Sequence, residues 1–296
     1  MIRKIATGFT VVALAIGGLF AAWLNGVHIP VASGTTYVRI AHLETARSAG
    51  EQQSGLVFIA LVGTDLRPGV GGARGDALHL VGVNLAQHKA TMIDVPRDVC
   101  YGGEKINAQN SIHGLRGMAD AMGSIAGVHV QYAVEVDFEG FTSLVDGVGG
   151  VDVDVEQPMN DSYSGAVFSV GRHHMNGGEA LAYSRDRHDF PSSDLVRTLN
   201  QGHLILDAMA QLRAQSDNPA GKFHLISLLA RHAQLDNMGV GDVFRLGEIA
   251  FRIHPEQVRN VPVPTTGGSC AGGLGLAGNA ASVFADFRDD AILESH

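Results

Sequence analysis

Residues Leu56 to Gly63 read Leu-Val-Phe-Ile-Ala-Leu-Val-Gly, without one polar side chain. An extended run of this kind is stable only when both of its faces are covered. It predicts a strand between two layers rather than one half-exposed to water. Leu78–Leu85 and Ala90–Val95 follow as two further strands, and the short polar stretch Ala86–Lys89 between them suits a hairpin loop. Helical and extended patterns then interleave. Ala108–Met122, Phe138–Val145, Gly178–Ser184, Leu195–Arg213, Phe223–Gln234 and Val240–Ile253 read as helices. Gln131–Val136, Val151–Val155 and Gln257–Val263 read as strands. Thr265–Gly278 is Gly-rich and irregular. This interleaving predicts one α/β, or mixed α+β, domain of about 240 residues over 55–296, its sheet flanked by helices.

The N-terminus places that domain. Arg3 and Lys4 precede Ile5–Leu24, which carries no charge, and the next formal charge is Arg39. About twenty apolar residues cross a bilayer core. Basic residues ahead of the span orient it with the C-terminus outside. Residues 1–25 are therefore expected to form a transmembrane anchor, with a cleaved signal segment as the competing reading. Residues 26–54 read as a linker, with a short helix around Ala41–Ala46. An extracytoplasmic domain leaves Cys100 and Cys270 free to form a disulfide; two separate thiols are the alternative.

The net charge of −9 argues against a nucleic-acid partner. Seventeen Arg against four Lys suits phosphate recognition, because guanidinium offers a planar fork where ammonium is a point charge. Four clusters carry such chemistry. Gly63-Thr64-Asp65-Leu66-Arg67 follows the first strand, and Arg74-Gly75-Asp76 precedes the second. The two carboxylates bracket one loop, as a Mg²⁺ site shared with substrate phosphates requires. Asp94-Val95-Pro96-Arg97-Asp98 closes the third strand and leads to Lys105-Ile106-Asn107. Tyr183-Ser184-Arg185-Asp186-Arg187 precedes Asp194, Arg197 and Gln201. If Ser184–Arg187 is extended, Arg185 and Arg187 project to one side; Arg197 and Gln201 share a helix face.

In this order the clusters resemble the LytR-CpsA-Psr family of cell-wall glycopolymer transferases. Asp146-Gly147-Val148-Gly149-Gly150-Val151-Asp152-Val153 and Ala180-Leu181-Ala182-Tyr183 extend the match. The resemblance implies a central, largely antiparallel sheet and an apolar channel for a polyprenyl tail. It implies transfer of a glycan phosphate from a polyprenyl pyrophosphate carrier to a peptidoglycan hydroxyl at the membrane. Asp65 and Asp76 would hold Mg²⁺ or Mn²⁺. Arg67, Arg74, Arg97, Lys105, Arg185, Arg187, Arg197 and Gln201 would bind the pyrophosphate. Asp98 is read as a structural partner for an Arg rather than a base. Three positions depart from the family pattern: Ala77 replaces Thr, Asp94 replaces Ser, and Asn200 replaces Arg. A hydrolase of the same donor and a non-catalytic polyprenyl-lipid binder are the rival readings.

Overall fold

The computed structural model describes residues 38–43, 54–65, 73–187, 193–216 and 218–294. In chain order these form β1 (Val38–His42), β2 (Leu56–Thr64), β3 (Gly75–Asn84), β4 (Lys89–Asp94), β5 (Cys100–Tyr101), β6 (Glu104–Lys105), α1 (Ala108–Ala126) and β7 (Tyr132–Val136). Next come α2 (Phe138–Gly147), β8 (Val151–Val155), β9 (Met159–Asp161), β10 (Ala166–Phe168), β11 (Gly171–Met175), α3 (Gly177–Arg185) and α4 (Ser193–Gln215). The remainder is α5 (Pro219–His232), β12 (Ala233–Asp236), α6 (Val240–Arg252), β13 (Val258–Pro262), β14 (Thr265–Gly267), β15 (Leu274–Leu276) and α7 (Ala280–Asp290).

The central sheet has seven strands in the order β12-β1-β7-β2-β3-β4-β13. The antiparallel ladders β1–β7, β2–β3 and β3–β4 carry most of the paired residues. β1–β12, β2–β7 and β4–β13 run parallel. The apolar run of β2 is continuous because helices cover both faces. Phe58, Ala60 and Val62 join Leu78, Leu80 and Ile93 beneath Met118 and Met122 of α1 and Phe284 and Phe287 of α7. Val57 faces the opposite way with Val83, Ala90 and Tyr132, beneath Ile249 of α6. Such burial contributes about 1.5 to 3 kcal/mol for each large side chain.

The sheet begins earlier than expected. Val38–His42 is not linker but β1, lying inside the sheet between β12 and β7. Val38, Ile40 and Ala41 are each 1% exposed. Ala, Leu and Glu between residues 41 and 46 favour helix locally, yet pairing on both sides overrides that preference through His42. Likewise the expected helix Phe223–Gln234 ends at His232, and Ala233–Asp236 turns outward as the edge strand β12. Within the Gly-rich tail, β14 and β15 pair as a small antiparallel hairpin. The expected anchor, 1–25, lies outside the described residues. Among those described, no helix is long and apolar enough to cross a membrane.

If β1 belongs to the folded unit, Ile40→Ala removes a buried side chain between two strands. It should cost about 2 to 5 kcal/mol, read as a lowered midpoint in chemical denaturation. A linker residue would leave the midpoint unchanged.

Candidate active site

Strand direction gathers the polar clusters at one end of the sheet. β2 and β7 are parallel, β3 opposes β2, and β4 opposes β3. The C-terminal ends of β2, β4 and β7 therefore meet the start of β3. At that edge stand Thr64, Asp65, Asp76, Arg97 and Asp137. The strands approach closely there: a Cβ on Gly63 would lie 2.9 Å from the Cβ of Ala77, so only glycine fits without a shift.

A cavity of about 590 Å³ opens at this edge. Its charged wall comprises Asp65, Asp76, Arg97, Arg185, Arg187 and Arg197. Its apolar wall runs beneath the helices toward β7 and β1 and includes Val38, Leu61, Val134, Phe141, Leu144, Leu204, Ile205 and Leu229. β1, absent from the expected domain, thus supplies part of the apolar lining.

Each charged residue has a local reason for its position. Asp65 accepts the Arg74 backbone N–H (3.1 Å), which pins the far end of the loop between β2 and β3. Arg97 donates from Nη1 to Asp76 Oδ1 (2.8 Å). Asn107 holds this pair in place through its backbone: its N–H donates to the Arg97 carbonyl and its carbonyl accepts from Gly75 N–H. Asn176 and Glu179 form a reciprocal capping box that starts α3. Ser184 and Arg185 complete that helix and are not extended. The Arg185 guanidinium lies over the Phe138 ring, 4.9 Å from its centroid, a cation–π contact that aims it across the cavity. Arg197 is 5% exposed on α4. One turn later Gln201 donates to the Ser184 carbonyl (2.9 Å), locking α4 to α3.

Other expected ligands stand apart. Arg74 is exposed and does not line the cavity. Lys105 pairs with Asp98 (3.0 Å), also outside the lining; the partner of Asp98 is thus a Lys rather than an Arg. Arg67 and the side chain of Asp194 lie outside the described residues. Cys100 and Cys270 are bonded to each other. The bridge fastens the β14–β15 hairpin beside β5, and Leu274 N–H donates to the carbonyl of Asp98, next to Arg97. Neither cysteine lines the cavity, so the bridge braces its rim from outside. Gly273 permits that fit, since a Cβ there would meet both sulfurs within 2.4 Å.

The donor set suits a hard cation. Asp65 and Asp76 offer carboxylate oxygens, and at the end of β2 the buried Thr64 Oγ1 has no hydrogen-bond partner among the described residues. No group of three or more His, Cys, Asp or Glu positioned for a metal occurs among the described residues. Mg²⁺ is commonly bound this way, with one or two carboxylates and the rest from water and phosphate.

The LytR_cpsA_psr family model matches residues 29–286. The chain belongs to the LytR-CpsA-Psr family. It is 28% identical over 194 residues to the cell wall biosynthesis protein LcpA of Corynebacterium glutamicum, covering 54% of this chain and 38% of that one. It is 32% identical over 169 residues to the polyisoprenyl-teichoic acid–peptidoglycan teichoic acid transferase TagU of Bacillus mycoides, covering 55% and 54%. The chain therefore spans about half or less of the length of these two relatives. The LytR-Csp2A-Psr enzyme from Actinomyces oris has the same fold, with a TM-score of 0.68 at 21% identity over 86% of this chain and 95% of that one.

Sequence reasoning gave no site role to several residues of this LytR-CpsA-Psr cavity: Thr64, His79, Asp137, Phe138, Asp161, Tyr163 and Ser164 all line it. His79 was detectable, as one histidine inside the otherwise apolar stretch Leu78–Val83. Its Nδ1 lies 2.7 Å from Asp94 Oδ1, and both side chains are almost fully buried. Burial pushes the Asp94 carboxyl above its usual range, with His79 opposing that shift.

Replacing Cys100 and Cys270 together by Ser releases a constraint spanning 170 residues. The loss should be about 3 to 5 kcal/mol, seen as a lower denaturation midpoint for the double variant than for the oxidised parent.

Proposed function

We propose that this chain transfers a glycan phosphate from a polyprenyl pyrophosphate carrier to a hydroxyl of peptidoglycan, outside the cytoplasmic membrane to which residues 1–25 anchor it. One observation carries this reading: a single cavity joins an arginine-rich wall to a long apolar wall. That lining complements an amphiphile with an anionic head and a hydrocarbon tail. A soluble nucleotide or sugar phosphate would have no use for the apolar half.

The tail occupies the space under α2, α4 and α5, where each buried CH₂ contributes about 0.8 kcal/mol. The pyrophosphate then lies between Arg97, Arg185, Arg187 and Arg197. Each guanidinium can donate two parallel N–H bonds to phosphate oxygens. Arg97 is held by Asp76, Arg185 by the Phe138 ring and Arg197 by burial in α4, so these three need little reorganisation as charge moves in the reaction. The acceptor hydroxyl forms a bond to the glycan-side phosphorus. The P–O bond to the bridging oxygen breaks, and its electron pair leaves with polyprenyl phosphate. Mg²⁺ or Mn²⁺ held by Asp65 and Asp76 would neutralise pyrophosphate charge and polarise the reacting phosphorus. The sequence similarity to a teichoic acid transferase supports the acceptor class.

Two measurements test this. First, farnesyl pyrophosphate should bind Arg97→Ala, Arg185→Ala, Arg187→Ala and Arg197→Ala about tenfold to a hundredfold more weakly than the parent, from the loss of one charge-assisted bond. Lys105→Ala should bind like the parent, because its ammonium lies outside the cavity. Four Arg variants with parental affinity would refute the site. Second, Asp65→Ala/Asp76→Ala should abolish metal-dependent release of prenyl phosphate, as should chelation of the parent. Release that needs no peptidoglycan acceptor would identify a hydrolase, and binding without release a lipid carrier.

A further inference from the structure

His79 sits between two strands that make different demands on it. Across β3 it faces Leu61 of β2 on one side and Asp94 of β4 on the other. Nδ1 bonds to Asp94. The opposite edge of the ring, carrying Nε2, is turned away from Asp94, and His79 and Leu61 both line the cavity. Nε2 is buried and has no hydrogen-bond partner among the described residues. A buried polar atom without a partner is destabilising. One on a residue that lines a ligand cavity is explained if the seated ligand supplies the partner.

The chemistry of the pair makes Nε2 a donor. With two protons the pair is neutral overall, as imidazolium and carboxylate or as imidazole and carboxylic acid. Nε2 carries a hydrogen in both arrangements. Losing the second proton would leave a buried net negative charge beside a bound pyrophosphate. The upward push on Asp94 from burial opposes that loss. Asn260 of β13 and His203 of α4 also act on Asp94, both opposing that push.

Position then names the atom that receives the bond. Ala77 and His79 lie on one face of β3, about 7 Å apart along the strand. Ala77 is next to Asp76 in the charged wall, while His79 is level with Leu61. His79 thus marks the junction of the charged and apolar walls. A carrier lipid seated tail-inward presents its lipid-side phosphate at that junction, deeper than the glycan-side one.

We propose that His79, oriented by Asp94, donates its Nε2–H to the lipid-side phosphate and stabilises it as the leaving group. This rests on the transferase reading above. As the bridging P–O bond breaks, the oxygen that keeps the electron pair becomes a terminal oxygen of polyprenyl phosphate. Nε2–H bonds to this phosphate and keeps its proton, and the acceptor's hydroxyl proton passes to water. Asp94 stands where the family pattern has Ser, so the pair is a feature of this chain rather than of the pattern.

The test compares His79→Leu, His79→Gln and Asp94→Asn with Arg97→Ala. The probes are farnesyl pyrophosphate, farnesyl monophosphate and prenyl phosphate release. His79→Leu should bind the monophosphate about tenfold to a hundredfold more weakly and lower kcat. His79→Gln, which keeps an N–H donor, should recover part of both. Asp94→Asn should lower kcat with a smaller effect on affinity. If folded His79→Leu matches the parent while Arg97→Ala loses binding, the pair is internal structure and the proposal falls while the transferase reading stands. If the parent binds neither probe, both fall. Should His79→Leu not fold, the parent labelled with nitrogen-15 in its histidine rings decides. Farnesyl monophosphate must shift the signal of the Asp94-bonded ring, and an unmoved signal overturns the proposal.

Discussion

Coverage of both faces of the central sheet decides where this protein can keep charge. β2, β3 and β4 are packed beneath α1 and α7 on one side and beneath α4 and α6 on the other. Their backbone groups are satisfied by neighbouring strands, so the middle of the sheet offers no room for water. Charged side chains are affordable only where strands end, and strand direction puts several ends at one edge. Asp65, Asp76 and Arg97 collect there because the hairpins return the chain to the same side. One exception is instructive: His79 lies within β3 in the covered region, and it is bonded there to Asp94, the last residue of β4.

The parts of this arrangement written in local sequence were legible. The apolar run of β2, the periodic helices and the ordered Asp and Arg clusters each state their own role within a few residues. What was missed depends on pairing at a distance. β1 is five residues long, and only the ladders to β7 and β12 identify it as a strand. The His79–Asp94 pair was lost for a finer reason. A loop at Ala86–Lys89 puts Leu85 opposite Ala90, which would set His79 across from Pro96. The chain instead turns one residue earlier, because Asn84 Oδ1 accepts the N–H groups of Ala86 and Gln87. His88 then takes a positive φ of 53°, and Asn84 pairs with Lys89. Five steps back on each strand, His79 meets Asp94. A shift of one residue in a turn thus hides or reveals a buried ionisable pair.

Motif residues also divide by what their backbone does. Lys105-Ile106-Asn107 looks from sequence like a supplier of positive charge. Ile106 is fully buried, Asn107 ties the carbonyl of Arg97 to the N–H of Gly75, and Lys105 spends its charge on Asp98. The segment therefore positions the site without lining it. The disulfide acts in the same direction, joining the β14–β15 hairpin to the strand pair that follows Arg97. The role of Lys105–Asn107 has no periodicity or composition that a sequence reading could detect, whereas the disulfide was expected from its two cysteines.

The Arg97–Asp76 pair shows how such a site can be both ordered and ready. Its side chains are 20% and 25% exposed. In that setting an ion pair contributes only about 0 to 1 kcal/mol. The contact is strong enough to choose a rotamer for Arg97 yet weak enough to yield. On the proposed reading, a phosphate entering the cavity would offer Arg97 two acceptor oxygens in place of Asp76 Oδ1. This exchange of partners would free an Asp76 oxygen in the step that brings phosphate oxygens beside Asp65. Anion capture and assembly of an oxygen-rich cation site would then be one event, because one guanidinium serves the carboxylate before the phosphate arrives and the phosphate afterwards.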